Sequence, residues 1–371
     1  MNEEAWADTA VIAAAAIATF VLTEVVRRFA WRVGAVVRPD ERRVHQRPTP
    51  TLGGIAMFGG LLVAVLVAWA NGQFAQVFAN PVQLLGILGA AAVIHAVGVV
   101  DDFRQVSAPA KVAGVTFGAS LLVIAGVSIV TFRVPTFGLF LLSDDLVPLV
   151  TVLWVLAIAN AINLIDGLDG LAAGIVAIAA GSFLVYSTVL REEGIIDPSN
   201  PGPLVAMCAL GVCLGFLPHN ISPARIFMGD GGSLLLGLLM AAATVSVGGS
   251  VDEPFSGQAF FFYAPLLIPL FVLGVPLLDT VLSIVRRAIG RKQLTEADKD
   301  HLHYQLVRMG HGNRRAVLIL WAWTALLSGL VLYPTLNEGM GDAMVPIGVI
   351  ALGLGLYTFL GARARGGREN G

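Results

Sequence analysis

Between Asn160 and Gly170 the chain reads Asn-Ala-Ile-Asn-Leu-Ile-Asp-Gly-Leu-Asp-Gly, two amides and two carboxylates set between an apolar run over 147–159 and another from Leu171. A charged side chain deep in a bilayer costs on the order of 3 kcal/mol or more, so such groups face a protein interior or a wet cavity and mark function. Asn160, Asn163, Asp166 and Asp169 recur every third residue. On a helix that step drifts by about 60° each time, so the four would spiral off any single face. Gly167 and Gly170 mark a broken helix end, where the same residue types also suit a capped interhelical turn.

Similar polar interruptions occur at Asp101-Asp102 with Lys111 beyond, at Arg47 and Thr51, at Phe227-Met-Gly-Asp-Gly-Gly-Ser233, and at His301-Leu-His303. Together they offer Asp101, Asp102, Asp166, Asp169 and Asp230 as carboxylates, Asn163 as an amide oxygen, and Lys111, Arg47, Arg225 and the histidine pair as cations or bases. Hard oxygen ligands without thiolates select Mg²⁺, with Mn²⁺ as the alternative, over zinc. The cysteines, Cys208 and Cys213, lie inside an apolar run and are expected in the core. Because Mg²⁺ takes one or two carboxylates and fills its shell with water and substrate phosphate, acids among basic residues point to metal-dependent phosphoryl transfer.

Asp101 and Asp102 are neighbours, about 100° apart on a helix, and need not share a role. One can accept a proton or position a nucleophile while the other orients Lys111 or the metal. The Gly-rich turn at Gly229 would bring backbone amides to a pyrophosphate at a helix N-terminus, and Phe227 would stack on a base or anchor the membrane interface. His301 and His303 are too few for zinc and suit a phosphate or sugar contact. His95 is expected to be a satisfied core residue, and Asp279 to support the site from the end of a span.

These residues must be positioned by membrane helices. The 371 residues are 56% hydrophobic and 13% charged with mean hydropathy +0.80, against roughly 25% charged in soluble domains. Apolar runs predict eleven spans: 9–26, 52–70, 83–100, 112–131, 147–162, 171–190, 203–218, 233–249, 261–284, 315–334 and 343–362. The expected fold is an all-α polytopic bundle, one transmembrane domain over 1–371. The acidic start over residues 1–8 lacks the basic flank of a cleavable leader, so the first span is expected to stay.

With the N-terminus outside and the C-terminus cytoplasmic, all 23 Lys and Arg except Arg133 and Arg191 fall on or beside the cytoplasmic face, as the positive-inside rule requires. Segments 27–51, 101–111, 163–170, 219–232 and 285–314 then meet there as one active-site face. The outer loops carry no clustered chemistry.

These segments resemble the polyprenyl-phosphate N-acetylhexosamine-1-phosphate transferases, glycosyltransferase family 4. The resemblance rests on Pro48-Thr-Pro-Thr-Leu-Gly-Gly54, Asp101-Asp102, Asn160 to Leu171, Ile226 to Gly237 and the histidines at 301–303, in the family's order over residues 38–315. It implies transfer of a sugar 1-phosphate from a UDP-sugar to undecaprenyl or decaprenyl phosphate, with release of UMP and with Mg²⁺ at a cytoplasmic cleft of the bacterial inner (plasma) membrane. By that likeness Asp230 is the principal metal ligand and Asn163 a second contact, and Asp101 and Asp102 deprotonate or position the lipid phosphate. Lys111 then lies on the diphosphate, and Asp166, Asp169 and Phe227 at the nucleotide.

Asp300-His-Leu-His303, Gln305 to Gly310 and the basic tail Arg363, Arg365 and Arg368 are similar to the branch that uses UDP-N-acetylglucosamine for teichoic acid, lipopolysaccharide O-antigen or related glycans. Tyr304 departs from it, standing where that branch often carries another histidine. Another UDP-HexNAc or UDP-MurNAc-pentapeptide is the alternative donor. No nucleic acid is implied, and a homodimer is left open. A cation-coupled transporter would instead place acids near span midpoints and along both access routes. An inactive lipid-binding scaffold gives no reason for so many carboxylates.

Overall fold

A computed structural model describes residues 3–38, 47–134, 138–248, 274–289, 302–336 and 341–366. The helices are α1 Glu3–Val33, α2 Gly53–Asn71, the short α3 Ala75–Ala79, α4 Val82–Arg104, α5 Ala108–Ile124, α6 Leu146–Ile165, α7 Leu171–Glu192, α8 Gly202–Asn220 and α9 Gly229–Gly248. Beyond these come α10 Gly274–Ile289, a short α11 Leu302–Leu306 running through a π-turn Val307–His311, α12 Gly312–Leu336 and α13 Gly341–Gly366. Among the described residues seven helices, α1, α2, α4 and α6 to α9, are long and apolar enough to cross a membrane. Ile17, Leu66, Phe117 and Leu153 point outward from the bundle, more than half exposed. Such faces would be a liability in water and suit hydrocarbon.

α9 is the axis. Every residue from Gly231 to Gly248 is buried, with α4, α6, α8, α2 and α7 packed around it. Its Gly, Ala, Ser and Thr content allows that, because in lipid helices associate by close backbone approach and not by hydrophobic exclusion. Trp154 of α6 donates its indole N–H to Thr244 Oγ1 of α9 at 3.2 Å, which keeps that contact dry and polar-satisfied. α1 lies outside, against α2 and α8.

Several expectations need correction. The span predicted over 112–131 stops at Ile124, and Gly126 turns left-handed at φ 81° before the chain enters a strand. That strand, β3 Thr131–Val134, pairs antiparallel with β4 Gly138–Leu141, and β1 Val36–Val37 pairs with β2 Thr49–Pro50. The fold is therefore mostly helical, as expected of an all-α membrane protein, with two small ladders added between helices. Only residues 274–289 of the region around the predicted ninth span are described, as α10.

The polar segments are also shorter than apolar runs suggest. α1 continues to Val33, α4 to Arg104 and α6 to Ile165, while α5 begins at Ala108 and α9 at Gly229. A helix keeps its own backbone hydrogen bonds past the apolar limit, so charge ends the hydropathy run a turn before it ends the helix. Connectors 105–107, 166–170 and 221–228 remain, with residues 34–38 and 47–52 between α1 and α2, and these meet at one end of the bundle.

Backbone pairing zips two of them together. Phe227 N donates to Pro50 O at 2.9 Å, Gly53 N to Phe227 O at 3.0 Å and Gly54 N to Met228 O at 2.8 Å. Asn220 ties in a third connector: its Oδ1 accepts Gly170 N and its Nδ2 donates to Ile226 O, both at 3.0 Å. Asn220→Ala strips both buried partners and is expected to cost about 2–3 kcal/mol, since unmade buried hydrogen bonds carry the full desolvation penalty. A thermal melt of the purified protein in detergent checks this. At the opposite end Asp8 accepts from Gln73 at 3.1 Å and pairs with Arg191 at 3.7 Å.

Candidate active site

The site forms where α9 begins. Asp230 stands in the first turn of α9, and the Lys111 ammonium, in the first turn of α5, bonds its carboxylate. The same ammonium bonds Asp101, on the last turn of α4. Asp101 is held in turn by Val106 N, which donates to its Oδ1 at 2.5 Å across the tight 105–107 connector. The Lys111 side chain is 19% exposed and that of Asp101 14%, so this bridge is screened far less than a surface pair.

The neighbouring Asp102 turns elsewhere. Its Oδ1 accepts Asp230 N at 2.8 Å and its Oδ2 accepts Gly231 N at 3.2 Å. The two acids thus divide, as about 100° of rotation per residue allows. One consequence is a correction: the amides at the start of α9, expected to meet a pyrophosphate, are occupied by Asp102. Gly229, expected at the substrate, has φ 69°, and a Cβ there would collide with the Asp102 carboxylate. Its place in the structure is beneath that cap.

The third-residue series disperses as its spiral requires. Asn160 donates to Leu156 O of its own helix at 2.8 Å. Asn163 reaches the site, where its Nδ2 donates to Ser233 Oγ at 2.8 Å and its amide oxygen stays uncommitted among the described residues. Asp166, just past the end of α6, takes no side-chain hydrogen bond among the described residues. Burial, then the charges of Asp230, Asp102 and Asp169, push its carboxyl up to about 8. Asp169 is a brace, its Oδ2 accepting Ala224 N at 3.0 Å across two connectors.

Other expected members stand further off. Phe227 is half-buried and contributes its backbone to the zipper with Pro50 and Gly53. Thr51 is only 5% exposed and donates its N–H to Ala35 O at 3.0 Å. Arg47 is exposed, and its carbonyl accepts the Thr49 hydroxyl. His301 lies outside the described residues, and His303 lies on α11, where its side chain is not described. Asp279 is buried in α10, where its Oδ1 accepts Leu302 N at 2.7 Å and so fixes the start of α11.

Sequence reasoning passed over Ser233 and Asn220. A hydroxyl three residues after Asp230 and an amide closing the apolar run of α8 were the available signals. His95 is satisfied as expected, bonded to Gly231 O at 2.9 Å and stacked on Phe58 at 4.9 Å. Gly98, one turn before Asp102, lies so close to α9 that a Cβ would come within 2.5 Å of the Asp230 backbone. Gly98→Ala is expected to push α4 from α9 at about 1–3 kcal/mol, read as a lower melting temperature together with reduced turnover.

Four carboxylates, Asp101, Asp102, Asp166 and Asp230, thus act on one another around a single described cation, Lys111. Among the described residues no three His, Cys, Asp or Glu side chains are arranged to hold a metal alone. The uncommitted hard oxygens of Asn163 and Asp166 beside Asp230, with acids in excess over cations, fit a divalent ion that completes its shell with water and phosphate.

The class is therefore an integral-membrane protein whose acids converge at one end of a helical bundle. The profile described as glycosyl transferase family 4 matches residues 84–248, which span α4 to α9 and hold most of the site. Over 357 residues the chain is 37% identical to the decaprenyl-phosphate N-acetylglucosaminephosphotransferase of Mycobacterium tuberculosis strain H37Rv, covering 95% of this chain and 88% of that one. It is 39% identical over 319 residues to the protein of that name from Mycolicibacterium smegmatis, covering 85% and 79%. To a probable undecaprenyl-phosphate N-acetylglucosaminyl 1-phosphate transferase of Bacillus subtilis it is 34% identical over 307 residues, covering 82% and 78%. The chain belongs to glycosyl transferase family 4, the polyprenyl-phosphate N-acetylhexosamine-1-phosphate transferases.

Proposed function

We propose that this protein transfers N-acetylglucosamine 1-phosphate from UDP-N-acetylglucosamine to decaprenyl or undecaprenyl phosphate, releasing UMP, as the first membrane step of a cell-envelope glycan. The observation that carries it is the meeting of Asp101, Asp102, Asp166, Asp230, Asn163 and Lys111 at one end of the bundle, in relatives named for this transfer.

An oxygen of the lipid phosphate attacks the β-phosphorus of the donor. The bond from that phosphorus to the bridging oxygen breaks, and the oxygen leaves on UMP. Lys111 is the cation that meets the diphosphate, and Asp101 holds its ammonium in place. Mg²⁺ bound at Asp230, with Asn163 as a second contact, would supply charge neutralisation on the diphosphate and on departing UMP. A phosphate monoester is already ionised near neutral pH, so the nearby acids serve chiefly to position it. Direct attack requires no label on Asp101 or Asp102 after incubation with donor labelled in its β-phosphate; a stable adduct would mean a covalent route.

The positive-inside rule places this end of the bundle in the cytoplasm, where nucleotide sugars are made. Eleven spans with the N-terminus outside remain the topology that agrees with the charge distribution. The test is UMP release by purified protein with UDP-N-acetylglucosamine, polyprenyl phosphate and Mg²⁺, run beside a panel of other UDP-HexNAc donors and UDP-MurNAc-pentapeptide. Turnover restricted to another donor would reassign the sugar, and none with any donor would end the proposal.

A further inference from the structure

One stripe of α4 grips the start of α9 at three levels. His95, Gly98 and Asp102, at i, i+3 and i+7, fall on a single helix face. The Asp102 carboxylate takes the N–H groups of Asp230 and Gly231. Gly98 lets the Asp230 carbonyl lie against the α4 backbone. His95 meets Gly231 O at 2.9 Å, and because a carbonyl only accepts, its Nδ1 must carry the proton.

Helix starts leave N–H groups without partners, and a carboxylate there answers both the hydrogen-bond deficit and the helix dipole. Here the cap comes from another helix, so it fixes α9 in position and rotation as well as ending it. The side chain whose direction this sets is Asp230.

We propose that Asp102 and His95 are positioning residues, which act by clamping the α9 N-terminus so that the Asp230 carboxylate stays aimed at the metal and Lys111. Asp102 can hold two N–H donors only with both oxygens accepting. Each oxygen accepts one of the two N–H groups, so the contact the geometry assigns to Asp102 is its hold on α9. The inference rests on the proposed metal-bound phosphoryl transfer, so its test reads the clamp without turnover.

Two measurements on the full-length protein in detergent decide it. Mn²⁺ binding without substrates, followed by the free-ion paramagnetic resonance signal, is expected to weaken about 10–100-fold in Asp102→Ala, the usual cost of losing a residue that orients a ligand. Asp102→Asn should fall between, since its amide oxygen still accepts one N–H. His95→Phe, which keeps the stack on Phe58, should weaken binding by a few-fold. Hydrogen exchange over residues 227–236 should quicken in Asp102→Ala and remain slow in Asp101→Ala.

Asp102 variants that lose turnover yet bind Mn²⁺ as tightly as wild type and keep backbone protection would overturn the clamp and return the carboxylate to the reacting phosphate. Wild-type protein that does not bind Mn²⁺ would also overturn it. If no donor yields UMP but binding and exchange follow the expected order, the transfer reading fails and the clamp stands. Asp102→Asn carries the test where the alanine variant does not fold.

Discussion

Asp230→Asn should abolish UMP release, by about 10³-fold or more, while leaving the protein folded. In the proposed transfer Asp230 would hold the divalent ion by its full carboxylate charge, and losing that ligand would forfeit several kcal/mol of transition-state stabilisation, about 1.4 kcal/mol for each factor of ten. The amide keeps the shape of the side chain and can still accept from Lys111. It also relieves the crowding of four carboxyl groups, Asp101, Asp102, Asp166 and Asp230, around a single described cation. Melting temperature in detergent should therefore hold or rise as activity vanishes. A variant that loses activity and stability together would make Asp230 structural.

Lys111→Gln should damage both. Lys111 links Asp101 on α4 to Asp230 on α9 from the start of α5, so its charge joins three helices. Breaking a buried ion pair from one side leaves uncompensated charge and costs about 3–5 kcal/mol; with side chains 14–30% exposed, the lower end, about 3 kcal/mol, is expected here. Turnover should fall at least about 100-fold, because in the proposed transfer the diphosphate also loses its cation. Lys111→Arg should restore most of the stability and only part of the rate, since a planar fork satisfies two carboxylates but does not reproduce a compact ammonium. Melting curves and steady-state rates for the pair separate the two losses. An Asp101→Asn, Lys111→Gln double variant, close in stability to Lys111→Gln alone, would confirm that the two residues act as one unit.

The apolar runs located α2, α4, α6, α7, α8 and α9 to within a few residues, because partitioning into hydrocarbon acts on each segment by itself. Charge bias, another single-segment property, brought Asp101, Lys111, Asn163, Asp166 and Asp230 to one end before any contact was known. The spiral of Asn160 to Asp169 was equally legible, since 3.6 residues per turn forbids a common face. His301, expected with His303 to contact phosphate or sugar, lies outside the described residues, and the His303 side chain is not described.

What sequence could not reveal is which partner each of these groups takes. Asp101 and Asp102 are the same residue side by side; only the placement of α5 and α9 on either side of α4 sends one to Lys111 and the other to the Asp230 and Gly231 amides. The Gly-rich turn looked open to a phosphate because an N-terminal amide is unpaired within its own helix, and whether a neighbour fills it is not a property of that helix. Gly98 carries no signal in its own segment, yet its missing side chain lets α4 close on α9. Composition and periodicity determined what this chain is, a membrane bundle with acids at one end. Contacts between helices distant in the chain decided which acid braces, which caps α9 and which pairs with Lys111, because burial and hydrogen bonding at a helix end depend on the segment that packs against it.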